Sequence, residues 1–154
     1  TQVRTTIALA RQWAVTRNEI TYVVFPADNS LYTTNTVSMA LRSYSVWSER
    51  SGYITEWKRL PNGVMFDPTQ PHPVITSNEF SGTFNVMLSS STWGNPVRKF
   101  SIPFPSNTNA NQDLYAISYR PDGRLNQAGG VTLHLYMREG LVETSGSGVS
   151  AILF

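Results

Sequence analysis

The sequence has no cysteine, no long apolar run and few charged residues. The absence of cysteine among 154 residues excludes disulfide frameworks and cysteine-based zinc motifs. Charged residues make up 14% of the chain, against about 25% in ordinary soluble domains, and Ser, Thr and Asn take their place. No run of about eighteen apolar residues occurs, so the sequence as it stands predicts no membrane-spanning helix. At this length we expect a single domain, residues 1–154, with one core.

The small excess of positive charge is not concentrated anywhere along the chain. Twelve Lys and Arg residues against ten Asp and Glu give a net charge of +2, and no basic run is present. Because a nucleic-acid footprint needs clustered positive charge, the composition does not imply DNA or RNA binding.

No set of side chains predicts catalysis or metal binding. His134 alternates with Leu133 and Leu135 and is expected on the solvated face of a strand. His72 lies between two prolines, and no second ligand falls at metal-binding spacing. Ser147, between two glycines, lacks the strand–turn–helix setting of a nucleophile elbow. Four aspartates fall in turns, where Asp bonds to the backbone: Asp28, Asp67, Asp113 and Asp122. We therefore predict a protein that is not an enzyme and that holds no cofactor and no metal.

The first seventeen residues carry the pattern of an amphipathic helix. Apolar residues recur at helical spacing and form one broad stripe: Val3, Ile7, Ala10 and Ala14, widened by Leu9, Trp13 and Ile20. No Gly or Pro interrupts the segment, and Asn18 is a plausible stop, so the helix is expected to end near residues 17–19. No capping box precedes it, which predicts that the helix continues upstream in a longer protein.

The remainder of the chain has the pattern of an antiparallel sheet. β-Branched and aromatic runs predict strands over residues 20–26, 37–47, 53–60, 64–66, 83–89, 99–104, 114–119, 131–137 and 149–154. Apolar residues on both alternating faces of residues 20–26 predict a central strand that contacts the helix on one side. The predicted fold class is α+β, with an N-terminal helix packed against antiparallel sheet.

Connections and pairings follow from proline and from alternation. Residues 84–88 are expected to pair with residues 100–104, and residues 114–119 with residues 131–137. Three prolines predict an ordered loop over residues 67–80. Polar residues predict a surface loop over 105–113. Among the four tryptophans, Trp13, Trp47 and Trp57 are expected to be core or sheet-cover residues, and Trp93 is a loop aromatic.

Three stretches, in this order, resemble the GspH/FimT group of type IV pilin-like proteins, which are minor pilins and minor pseudopilins. Leu9-Ala-Arg-Gln-Trp-Ala-Val-Thr-Arg-Asn18 running into a strand is similar to the family's helix ending. Arg59-Leu-Pro-Asn-Gly-Val64 is similar to its Leu-Pro-x-Gly-Val turn. Ile117-Ser-Tyr-Arg-Pro-Asp-Gly-Arg124, followed by the predicted strand over residues 131–137, is similar to the family's Phe-x-Pro-x-Gly turn and the strand that comes after it.

The resemblance implies a pilin-like head on a long N-terminal helix. It implies a structural subunit of a type IV pilus or a type II secretion pseudopilus, acting in filament assembly or at the tip. Its partners would be other pilin or pseudopilin subunits. The head would be periplasmic or extracellular, and a missing apolar helix would anchor it in the inner membrane before assembly. Arg4 and Arg11, on one helix side and left free for charge pairs, and Trp93 are the expected subunit contacts.

Other functions remain open at this stage. One alternative is a minor pilin that binds DNA or a surface through Arg98, Lys99, Arg120 and Arg124. Binding that weakens steeply as the salt concentration rises would reveal this role. The tail, Ser145 to Phe154, departs from the Gly-Arg segment that some family members use for DNA contact. A secreted β-rich binding domain is a further alternative. An enzyme would require His134 to meet two carboxylates in space.

Overall fold

The structure is a computed structural model, and it describes residues 2–26, 39, 41–66, 95–96, 98–126, 133–135, 137–145 and 148–153. It begins with helix α1, Gln2–Arg17. Asn18 follows in the left-handed region, at a φ of 54°, which stops the helix because its next backbone bonds can no longer form. Both the helix and its predicted end are confirmed.

Antiparallel strands follow the helix and form a curled sheet. In chain order the strands are β1 (Thr21–Phe25), β2 (Ser43–Ser48), β3 (Gly52–Tyr53), β4 (Lys58–Arg59), β5 (Val64–Phe66), β6 (Asn95–Pro96), β7 (Arg98–Pro103), β8 (Asn111–Tyr119), β9 (Leu133–His134), β10 (Met137–Ser145) and β11 (Gly148–Leu153). The main sheet has the order β3-β2-β1-β8-β7, and β4 also pairs with β2. The architecture is α+β, as predicted.

Strand β1 is the centre of the main sheet. It pairs antiparallel with β2 at one edge and with β8 at the other, and all five of its residues are buried. Val23 and Phe25 belong to the core on the helix side, whereas Tyr22 and Val24 belong to a second core on the opposite face. The prediction of a central strand with two covered faces is confirmed.

Helix α1 lies on the sheet through a stripe of small residues. Its buried positions are Val3, Thr6, Ala10 and Ala14, each three or four residues from the next. Small side chains allow a short distance between a helix and the element beneath it. Thr21 Oγ1 on β1 donates a buried hydrogen bond of 2.7 Å to the Ala10 carbonyl oxygen. The predicted stripe is thus confirmed at three positions, with Thr6 added.

Hydrogen bonds join the two ends of the main sheet. The backbone amide of Tyr53 donates a 3.0 Å hydrogen bond to Asn107 Oδ1, and the Tyr53 hydroxyl donates to the Pro103 carbonyl oxygen. Trp57 Nε1 donates to the Pro105 carbonyl oxygen at 2.9 Å. These bonds bring the hairpin between β7 and β8 back to β3, so the second core is enclosed between them.

Two smaller sheets complete the described part of the chain. Strand β10 lies between β5 and β11 and is antiparallel to both. The amide of Gly140 also donates to the Gly63 carbonyl oxygen at 2.9 Å. Strands β6 and β9 pair in parallel. The turn before β5 is therefore tied to the C-terminal strands.

Three predicted elements differ in extent from the structure. Strand β2 begins only at Ser43, because Leu41 has a φ of 60° and residues 41–42 form a turn. The predicted strand 53–60 is divided into β3 and β4 by a bend, and the two pieces pair with opposite ends of β2. Strand β8 begins at Asn111, so residues 111–113, which were predicted as the end of the loop over 105–113, belong to the strand.

One predicted pairing is wrong, and one strand was not predicted. Residues 114–119 do not pair with residues 131–137, because β1 and β7 already occupy both edges of β8. Most of β10 fell outside any predicted strand, whereas the final strand is confirmed as β11. The predicted strand 83–89 and loop 67–80 lie outside the described residues.

The small-residue stripe makes a direct prediction for stability. We expect Ala10→Leu to lower the free energy of unfolding by about 1–3 kcal/mol, because Ala10 is fully buried and a larger side chain would push the helix off β1. Ala8→Leu adds the same atoms at an exposed position of the same helix, and we expect a change within about 0.5 kcal/mol. Urea unfolding followed by tryptophan fluorescence measures both. Equal losses would contradict this docking.

Candidate subunit-contact surface

One flank of helix α1 remains outside the core and forms an open groove with the end of β8. The groove has a volume of about 580 Å³, and its lining includes Arg4, Ile7, Ala8, Arg11, Val15 and Tyr119. Residues 4, 8, 11 and 15 recur at helical spacing, so they form a second stripe beside the buried one. Val15 is 52% exposed, and among the described residues only Met137 is another large apolar residue with comparable exposure. We call this groove the helix-flank groove.

Arg11 joins the groove to a turn more than one hundred residues away. Its side chain is exposed, yet Arg11 Nε donates a 3.0 Å hydrogen bond to the Gly123 carbonyl oxygen. The expectation that Arg11 is left free is therefore corrected, because part of its guanidinium is held within the chain. Arg4 is also exposed and lines the same groove.

The turn that holds Arg11 is Arg120-Pro-Asp-Gly-Arg124. The amide of Gly123 donates to the Arg120 carbonyl oxygen at 2.9 Å, and the amide of Arg120 donates to the Arg124 carbonyl oxygen at 2.8 Å. Gly123 has a φ of 82°, and a Cβ there would lie 3.1 Å from Val15 Cγ2. The positive φ is what requires glycine here, and the short distance to Val15 shows how closely the helix approaches the turn.

Electrostatics in the turn keep its single carboxylate ionised. The Arg124 amide donates to Asp122 Oδ1 at 3.0 Å, and an Arg120 guanidinium nitrogen lies 3.0 Å from Asp122 Oδ2. These contacts hold the pKa of the exposed Asp122 carboxyl below its usual value. Arg120 Nε is buried and finds no hydrogen-bond partner among the described residues.

Tyr119 closes the groove at the end of β8. Burial raises the pKa of its hydroxyl, and the nearby positive charge of Arg11 partly opposes that rise. Tyr119 also packs against the helix-side core. The groove therefore has an apolar floor continuous with the core and a positively charged rim.

The four residues considered for nucleic-acid contact are only partly brought together. Arg120 and Arg124 flank one turn, which lies beside Arg11. Arg98 and Lys99 lie on the neighbouring strand β7, where their backbones are opposite Ala116 and Tyr115 of β8; their side chains lie outside the described residues. The structure thus places Arg120 and Arg124 at the turn that adjoins the helix-flank groove.

The remaining sequence candidates are distributed over the molecule. Trp47 and Trp57 are partly buried against the second core, as predicted. Trp93, His72 and Ser147 lie outside the described residues, as does the side chain of His134. Within the described part of the chain, no three His, Cys, Asp or Glu residues are grouped to hold a metal ion, and no helix has the length and apolarity needed to cross a bilayer.

Sequence reasoning missed a buried carboxylate at the end of the helix. The Glu19 side chain is only 4% exposed and lies 3.9 Å from Arg50 Nε. Trp13 Nε1 and Ser51 Oγ both donate to Glu19 Oε1, at 2.5 and 3.0 Å. We call this set the Glu19 clasp, because it joins the helix end to the connection between β2 and β3. A carboxylate beside a helix C-terminus is destabilised by the helix dipole. The position of Glu19 in the sequence, directly after the helix, was therefore the available signal that its carboxylate must have stabilising partners.

The Glu19 clasp makes stability depend on pH. Burial raises the pKa of the Glu19 carboxyl, but hydrogen bonds from Ser48, Trp13 and Ser51, with the Arg50 guanidinium, outweigh it and bring the pKa below the ordinary value of 4.5. Since the folded-state pKa is below the unfolded one, the stabilisation is fully present above the unfolded-state pKa. It is lost as pH falls through the folded-state pKa.

We expect Glu19→Gln to lower the free energy of unfolding at pH 7 by about 1–3 kcal/mol, because buried donors lose a charged acceptor. The variant should also lose part of the acid destabilisation that the wild type shows below about pH 4.5. Urea unfolding at several pH values measures both effects. Glu56→Gln, at an exposed site, is the control and should change neither. A Glu19→Gln protein with the wild-type pH profile would contradict the assignment.

No protein-family model, no curated protein and no solved structure matches this chain. Its function is therefore argued from its own residues, and the helix-flank groove with the adjoining turn is the surface on which that argument rests.

Proposed function

We propose that this chain is a structural subunit of a type IV pilus or of a type II secretion pseudopilus, acting in filament assembly or at the tip. The observation that carries the proposal is the division of helix α1 into two sides. One stripe is buried on the sheet, and the adjoining flank forms the exposed helix-flank groove. A helix that both supports its own domain and presents a contact surface suits a subunit of an assembly.

The groove has the composition of a protein-contact surface. Interface centres are apolar and enriched in aromatic residues and arginine. Here Val15 and Tyr119 supply apolar surface, while Arg4 and Arg11 stand at the rim. Because Arg11 is already oriented by Gly123, less side-chain freedom is lost when a partner binds it. No catalytic group is needed for this role.

The family resemblance adds a second, independent line of support. It depends on three short stretches, and two of them contact each other in the structure, since Arg11 of the first bonds to Gly123 of the third. Residues that resemble a family motif thus also build the groove. As part of this proposal, the full-length protein is anchored by an apolar helix upstream of α1 and displays the head in the periplasm or outside the cell.

The reading frame upstream of Thr1 tests the proposal without a binding assay. We expect it to encode a short basic leader, a cleavage site and about twenty apolar residues continuous with α1. We also expect the mature protein to be found with filaments sheared from cells, and to be missing from that fraction when the apolar segment is deleted.

Either of two results would overturn the filament role. One is an upstream frame that encodes an ordinary secretory signal or a soluble domain. The other is a full-length protein that never enters the sheared fraction although it accumulates in the cell. In both cases a secreted β-rich binding domain would replace the filament subunit as the leading function.

A further inference from the structure

Positive charge predominates among the described residues around the helix-flank groove. Arg4 and Arg11 line it, and Arg120 and Arg124 flank the turn that holds Arg11. Asp122 is the only carboxylate in that turn and is already engaged by Arg120. Four positive charges against one negative charge leave an excess of three, so a partner that covers this surface must supply negative charge.

A second copy of the chain cannot supply that charge through the same flank. Helix α1 carries Arg4, Arg11 and Arg17, and it has no acidic residue anywhere between Gln2 and Arg17. A symmetric contact would place the same surface on both partners and so bring arginine against arginine. Like charges opposed across an interface suppress association, so the flank disfavours a symmetric contact with its own copy.

The floor of the groove favours a polypeptide over a nucleic-acid backbone. Arg4 and Arg11 can pair with phosphates as well as with carboxylates, so the apolar part of the groove decides between the two kinds of partner. Val15, 52% exposed, offers apolar surface that a phosphate chain cannot cover. A polypeptide with both carboxylates and apolar side chains fits the rim and the floor together.

We infer that the helix-flank groove binds an acidic segment of a different protein, which pairs carboxylates with Arg4 and Arg11 and places an apolar side chain on Val15. The two arginines are seven residues apart, about 10 Å along the helix. Carboxylates at i and i+7 of a partner helix have this separation and lie on one side of that helix. A guanidinium has five N–H donors, and the Gly123 bond uses one of those on Arg11.

This inference deepens the proposed function and rests on it in one respect: the partner is expected to be another subunit of the same filament. It also narrows that role. The groove disfavours a symmetric contact with a copy, and among the acidic residues of this chain only Glu49 and Glu56 are seven apart, neither of them in a helix. An unlike subunit is therefore the expected neighbour at this groove.

Photo-crosslinking in the host that makes the protein tests the inference. Val15 of the full-length protein is replaced by the photo-reactive amino acid p-benzoylphenylalanine. In a second variant of the same protein, used as the control, this amino acid replaces the exposed Glu56 near the β3 edge. After irradiation, mass spectrometry identifies the crosslinked peptide. We expect Val15 to capture a different protein at a segment with two acidic residues at the spacing given above. Capture of this chain itself, of nucleic acid or of a segment without acidic residues overturns the inference, as does capture by Glu56 alone.

A charge reversal tests the role of the rim. We expect Arg4→Glu to reduce the Val15 crosslink about fivefold or more and acid-to-lysine changes in the captured segment to restore it. Arg17→Glu is the matched control, because it makes the same charge change on the same helix outside the groove, where Arg17 stacks 4.8 Å from the Trp13 ring centre. It should leave the crosslink unchanged. Thermal melting of both variants confirms that each is folded. Equal effects of the two reversals contradict a specific rim.

The same samples separate this inference from the filament role. If Val15 captures an acidic partner but neither protein enters the sheared filament fraction, the acidic-partner inference stands and the filament role fails. If the protein enters filaments but Val15 captures only copies of this chain, the filament role stands and the inference fails.

Discussion

The close packing of helix α1 on strand β1 is the contact on which the rest of the structure depends. Ala10 and Ala14 are fully buried, and the bond from Thr21 to the Ala10 carbonyl oxygen fixes the helix at one position along the strand. This docking sets where the helix ends, and therefore where Glu19 enters its clasp. It also sets the distance between the exposed flank of the helix, at Val15 and Arg11, and Gly123.

The same docking decides which residues remain available to a partner. Because the buried stripe consists of small residues, the helix lies low on the sheet and its flank is level with the end of β8, where Tyr119 lies. A bulkier stripe would raise the helix and open the contact between Arg11 and the turn. The helix-flank groove is thus a consequence of core packing, and its charge comes from residues that the core does not need.

The sequence predicted what local patterns control and failed where distant residues decide. The helix, its end at Asn18 and the two-faced strand β1 follow from periodicity and were confirmed. The late start of β2 was missed because a left-handed Leu41 has no local signature. Ser51, one partner of Glu19, lies 32 residues away, and Gly123, the partner of Arg11, lies 112 residues away, so only the tertiary fold brings these residues together. The full extent of β10 was missed because charged residues and a glycine interrupt its pattern.

Thiol labelling tests the central claim, that the helix flank is free in the isolated protein and covered in the assembly. Residues 1–154 contain no cysteine, so Val15→Cys and Glu56→Cys each create a single reactive site within these residues of the full-length protein. The account predicts that maleimide labels Val15→Cys rapidly in dissociated subunits and far more slowly in intact filaments, while Glu56→Cys reacts equally in both. Equal labelling of Val15→Cys in the two states would contradict it.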